Sequence, residues 1–149
     1  MSLQEKIMTA MKMAMKEKNQ MALEALRAVK SEILLAQTQS AGSDTLSQEQ
    51  EIKILSKLVK QRKDSAAIYT AQNRSDLAEP ELAQAEIISQ FLPAQLSRLE
   101  IERAVDKAIS DTGAAGMKDM GKVMGIVSKE LAGQADGKTI SAIVKEKLT

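Results

Sequence analysis

At 149 residues the chain is long enough for one ordinary domain or two small ones. It is 44% hydrophobic but only 1% aromatic, with Tyr69 and Phe91 alone, which disfavours a β core and points to helices packed through aliphatic and methionine side chains. With no cysteine, no histidine and a net charge of +1 from 21 basic and 20 acidic residues, it excludes disulfides, thiolate and serine-histidine catalysis, His or Cys metal sites and an indiscriminate nucleic-acid coat.

The first nineteen residues interrupt their apolar positions with Glu5, Lys6, Lys12 and Lys16, so they hold no continuous run for a signal peptide or membrane span. A cytoplasmic protein with no membrane partner is expected. Ser2 with Glu5 forms a capping box that opens a first helix, with Leu3, Ile7, Met11, Ala14 and Met15 on one face. Asn19 starts a second, which buries Ala22, Leu26, Val29 and Ile33 and runs out in a polar loop at Ser40–Asp44. Ser47 with Gln50 opens a long third helix on Ile52, Leu55, Val59, Ala66 and Tyr69, ending near Asn73. Ser75 is predicted to cap a fourth bearing Leu77, Ala85, Ile88 and Phe91, with Pro80 near its first turn. Leu92 precedes Pro93 and therefore avoids the helical region, which ends that helix.

A domain boundary is placed at Leu92–Leu96, dividing the chain into residues 1–92 and 93–149. Ser97 with Glu100 starts a helix bearing Ile101, Ala104, Val105 and Ala108, stopped by Gly113. Asp119 or its neighbour begins the next, with Met120, Val123, Met124, Val127 and Leu131 inside and Gly133 as terminator. Asp136 caps the last, built on Ile140, Ile143, Val144 and Leu148. The expected architecture is all-α, an N-terminal bundle of about four helices followed by a small three-helix bundle. Met11, Met15, Met120 and Met124 fall at core spacing and read as gap-fillers.

Lys53, Lys57, Lys60 and Asp64 project together, opposite the apolar line of the third helix. Such a face either contacts phosphates or is simply solvated; no aromatic residue interleaves it for base stacking. Arg62 projects into the apolar line between Val59 and Ala66 and so needs a partner, either a carboxylate such as Glu32 or an anionic ligand. Gly121, Gly125, Ser128 and Ala132 form a small-residue ridge. That ridge admits another helix closely, or a sugar-phosphate backbone beside Lys118 and Lys122. The turn before Lys138 offers free N–H groups to an anion, although Asp136 serves as its cap. Asp76, Glu79 and Glu81 read as an acidic first turn rather than a magnesium site. No catalytic residue, metal ligand or cofactor site is assigned.

Leu26, Arg27, Ser31 and Glu32, then Lys60–Ser65 with Tyr69, then Asn73, Arg74 and Asp76–Ala78 form a succession of blocks. Leu92 with Pro93, Lys118–Met124 and Ala135–Gly137 continue it. In order and spacing, across essentially the whole chain, these blocks resemble the YqeY family, which is similar to the C-terminal tail of the GatB subunit of tRNA-dependent amidotransferase. The resemblance implies the two-part helical module with which that tail engages tRNA, and partners among tRNA, amidotransferase and other translation components. Lys57, Lys60, Arg62, Lys63, Lys118, Lys122 and Lys138 are then the RNA-facing candidates. The resemblance also carries an association with glutamine-dependent carbon-nitrogen ligase activity on misacylated tRNA. The larger catalytic portion of GatB has no counterpart in this sequence, so that activity is not expected of the chain by itself. Three expectations result: a tRNA-binding accessory module, a component of the ligase activity, and a protein-interaction module with no RNA role.

Overall fold

Local capping chemistry sets the helix starts. A computed structural model describes residues 2–39 and 45–149, so the expected loop at Ser40–Asp44 lies outside the described residues. Seven α-helices are found among the described residues, with no strand: α1 (Leu3–Lys16), α2 (Gln20–Gln39), α3 (Gln48–Ala71), α4 (Ser75–Ser89), α5 (Arg98–Thr112), α6 (Met120–Glu130) and α7 (Gly137–Leu148). The fold is all-α, as composition and periodicity require.

Reciprocal capping boxes begin α1, α3 and α5. Ser2, Ser47 and Ser97 each accept from the backbone N–H three residues on, and Glu5, Gln50 and Glu100 accept in return from the serine N–H groups. Each box satisfies two donors that the first helical turn leaves free. Asn19 Oδ1 accepts from Ala22 N–H at 3.1 Å and starts α2, after Lys18 reverses the chain at φ 56°. Asn73 does the same after α3 at φ 58°. The fourth helix departs from expectation: Arg74 stands at its N-cap without a side-chain cap, Ser75 is already helical, and Pro80 lies inside the helix.

The chain divides into two compact units, Met1–Leu92 and Pro93–Thr149. In the first, α1 and α4 both lie on α2, and α3 packs most extensively on α4 while touching α2 least. Ile7, Val29, Ile33, Leu55 and Ile88 are buried in its core, each contributing roughly 1.5–3 kcal/mol. Met15 is 54% exposed, a correction to its expected core role. It sits about 100° beyond Ala14, which occupies the centre of the apolar stripe. Leu77 likewise turns outward, and its neighbour Ala78 is buried instead. Met11, Met120 and Met124 are half-buried against the cores.

The second unit packs α5, α6 and α7 pairwise around Val105, Val123, Val127, Ile140, Ile143 and Val144. Arg98 ties α5 to α7, bonding Glu102 at 2.9 Å and Glu146 across the helices. Those carboxylates hold its guanidinium above the ordinary arginine value. Gly113 at φ 67° ends α5 in the left-handed region, where its N–H donates to Ile109 and a side chain would be strained. Ahead of α5, Leu96 N–H bonds the Gln134 carbonyl at 2.9 Å, pinning the entering chain to the connection between α6 and α7.

Candidate nucleic-acid interface

A 3-10 turn at Met117–Asp119 delivers the chain into α6. Gly116 makes the corner at φ 101°, and Asp119 accepts from Ala115 N–H at 2.9 Å, closing the corner from the other side. Lys118 is thereby fixed just before the helix, exposed. From there Lys122 and Lys129 follow on the exposed surface, beside Gly121, Gly125 and Ser128; α6 ends at Glu130, so Ala132, expected on the same ridge, lies beyond the helix. Among the described residues none of these three lysines has a hydrogen-bond or ion-pair partner.

The two glycines are unused by the fold. Among the described residues a methyl group placed on Gly121 or Gly125 would meet nothing within 4 Å, so the close-packing explanation for the ridge is corrected: neither α5 nor α7 of the same unit lies against it. Each exposed helical glycine nevertheless costs about 1 kcal/mol relative to alanine. What remains is a flat strip of bare backbone bordered by free ammonium groups. Such a strip lets an extended, negatively charged chain approach more closely than side chains normally permit.

Lys138 stands in the first turn of α7, where Asp136 accepts from Thr139 N–H at 2.7 Å and so caps the helix itself. The short connection from α6 puts Lys138 by the C-terminal end of α6, about 16 Å of helix rise from Lys118. Lys129, which sequence reasoning did not single out, lies between them. Its signal was present in the sequence as the position seven residues after Lys122 on the same helix.

The candidates on α3 have different surroundings. Arg62 is half-buried, and its expected Glu32 pairing is corrected. Its Nε donates to Gln84 Oε1 at 3.1 Å and its Nη1 to the Leu58 carbonyl at 3.2 Å, while Gln84 donates onward to Glu24 at 3.3 Å. The reason is packing, because α3 lies against α4 far more than against α2, so the guanidinium reaches Gln84 first. Lys60 bonds Asp64 one turn away at 2.7 Å, both side chains well exposed, an arrangement that contributes little to stability. Lys57 and Lys63 are exposed, but about 120° apart around the helix. Lys57 lines a shallow groove of about 200 Å³ with Lys53, Glu32, Leu35, Ala36, Gln39 and Ile54.

The acidic start of α4 does not gather into a metal site. Asp76 accepts two bonds from Arg74, both 3.0 Å, which hold its carboxyl below the usual carboxylate range. Among the described residues no group of three or more acidic side chains lies close enough to hold a metal ion, and no helix is long and apolar enough to cross a membrane.

The class these features define is an all-helical, two-unit protein with a basic, glycine-bearing face on its C-terminal unit. More particularly, the chain belongs to the Yqey-like protein family, whose model matches residues 4–148. Over 73 residues it is also 34% identical to a subunit of the glutamyl-tRNA(Gln) amidotransferase of Thermococcus gammatolerans, a match that takes in 46% of this chain. The chain spans only 12% of that relative's length.

Proposed function

We propose that this protein is a tRNA-associated accessory module that reads the sugar-phosphate backbone through the α6 face. The observation that carries the proposal is the pair of exposed, unpacked helical glycines, Gly121 and Gly125, beside three lysines that have no acidic partner among the described residues. Phosphates require only positive charge at helical spacing, and a glycine strip admits the ribose backbone between the charges. Lys138 extends the surface beyond the far end of α6. Kinship with part of a glutamyl-tRNA(Gln) amidotransferase supports tRNA as the RNA class and translation as the setting. Phosphate contact through unit 1 is a lesser part of the reading, because Arg62 and Lys60 are engaged within the chain and leave Lys57 and Lys63.

The test is a titration of labelled bulk tRNA at several salt concentrations. Saturable binding whose logarithm falls linearly with the logarithm of salt is the expected result. Absence of binding at low salt would overturn the reading. Amide transfer is tested separately, by supplying glutamine, ATP and misacylated tRNA with and without amidotransferase subunits. The proposed accessory role predicts no amide product from the chain alone.

A further inference from the structure

Two surfaces of unit 1 have no part in phosphate contact through α6, and they are complementary. The first is the groove between the C-terminal half of α2 and the start of α3. Its floor is Leu35, Ala36 and Ile54, with Leu35 51% exposed, and Lys53 and Lys57 stand over it one turn apart. Glu32 on the α2 wall is half-buried and leaves the rim net basic. The second is the outer face of α4. There Glu79, Leu82 and Glu86 recur at positions i, i+3 and i+7 and share one side of the helix, with Leu82 49% exposed. Among the described residues the side chains of Lys53, Lys57, Glu79 and Glu86 have no partner.

On one surface Lys53 and Lys57, one turn apart, stand beside the apolar floor of Leu35, Ala36 and Ile54, and on the other Leu82 lies between Glu79 and Glu86. We infer that the α2–α3 groove of one copy receives the α4 ridge of a second copy, reciprocally across a twofold axis. Leu82 would lie on Leu35 and Ile54 while the glutamates meet the lysines. An apolar floor favours this occupant over nucleic acid, since a phosphate backbone gains nothing from Leu35 and Ile54. Each contact rests on one apolar anchor and two charge pairs, and the reciprocal arrangement uses it twice towards the about 1,200 Å² that specific interfaces need. The assembly is accordingly weak, and salt weakens it further.

Sedimentation of the full chain from micromolar to millimolar concentration tests this. The wild type is expected to move from its monomer mass of 16.2 kDa towards twice that value as concentration rises, and to move back as salt is added. The double variants Lys53→Glu with Lys57→Glu, and Glu79→Lys with Glu86→Lys, are each expected to self-associate at least tenfold more weakly. An equimolar mixture of the two should recover the wild-type behaviour, because both contacts become attractive only in the mixed dimer. Circular dichroism of each variant confirms retained helix, and recovery in the mixture shows independently that both are folded. A wild type that stays monomeric throughout overturns the inference, as do variants that associate normally or a mixture that fails to recover. Loss of tRNA affinity in the lysine variant with unchanged sedimentation also overturns it, and assigns the groove to phosphate contact.

Discussion

Helices α3 and α6 both present lysines at helical spacing on a solvent-facing side, three and four residues apart on α3 and seven apart on α6 with Lys118 just ahead of it, yet their surroundings give those charges different work. On α3 two of the basic residues, Lys60 and Arg62, are engaged within the protein itself. Lys60 faces Asp64, Arg62 bonds Gln84 and the Leu58 carbonyl, and Lys57 overlooks a groove with an apolar floor. On α6 the lysines face solvent beside bare backbone, with no partner among the described residues. Spacing decides which face a charge occupies; the neighbours decide whether it is available to a ligand. The sharpest way to break this distinction is to neutralise each set. Substituting Lys118, Lys122 and Lys129 by glutamine should weaken tRNA binding by about ten- to a hundredfold and lower the salt slope by about 2–3, as expected for three lost phosphate contacts. The same change at Lys60 and Lys63 should cost less than about threefold. Equal losses from the two sets in a filter or fluorescence titration would erase the difference between the helices.

The glycines offer a test in which stability and binding move in opposite directions. Because Gly121 and Gly125 touch nothing, replacing both by alanine should raise the stability of unit 2 by about 1–2 kcal/mol, read as slower amide hydrogen exchange in α5–α7. Gly125→Leu should retain most of its share of that gain while weakening tRNA binding, since the side chain stands where a backbone would pass. A stabilised variant with unaltered affinity would mean that the strip is not a contact surface. Arg62 gives the matching experiment on α3. Arg62→Met keeps the stem packing but loses two part-buried hydrogen bonds, for an expected cost of about 1–2 kcal/mol in unit 1 and little change in tRNA affinity. A folded Arg62→Met protein with a tenfold loss of binding would instead make the arginine a phosphate ligand.

The features legible in the sequence were those decided within a turn or two of chain. Ser2, Ser47, Ser97 and Asp136 announce helix starts because each cap side chain accepts from the N–H three residues on. The central core positions Ile7, Leu55, Val105 and Ile143 follow from a period that does not depend on the neighbouring helix. Residues at the stripe's edge, such as Met15 and Leu77, were misplaced because burial there depends on how far a neighbour extends. The partner of Arg62 was illegible for a related reason. Periodicity shows that the guanidinium points inward, but not whether α2 or α4 is waiting for it, and Gln84 carries no charge to betray the link. The ridge at Gly121 and Gly125 was visible as a pattern. Only three dimensions show that neither neighbouring helix of its unit fills it.

The smallest expected effect concerns the capping boxes, where the two units use the same motif with different chemistry. At the third position of α5, Glu100 accepts from the Ser97 N–H at 3.2 Å and the Ser97 hydroxyl at 3.0 Å. Chiefly the backbone bond, and then the hydroxyl, hold its carboxyl below the usual carboxylate range, with Arg103 adding a lesser attraction. In α3 the corresponding residue is Gln50, which accepts from Ser47 N–H at 2.8 Å and does not titrate. A carboxyl depressed by folding contributes stability that is fully present above its unfolded value of about 4.3 and is lost as pH falls through the lower folded value. The Ser97 amide resonance should therefore shift with a midpoint below that of an ordinary glutamate, while the Ser47 amide shows no such titration. Acidification should loosen the first turn of α5 and spare that of α3. Glu100→Gln should retain the box, abolish the Ser97 titration and flatten the acid limb of α5 stability. An unchanged titration at Ser97 in that variant would place the proton on some other group and leave the two boxes chemically alike.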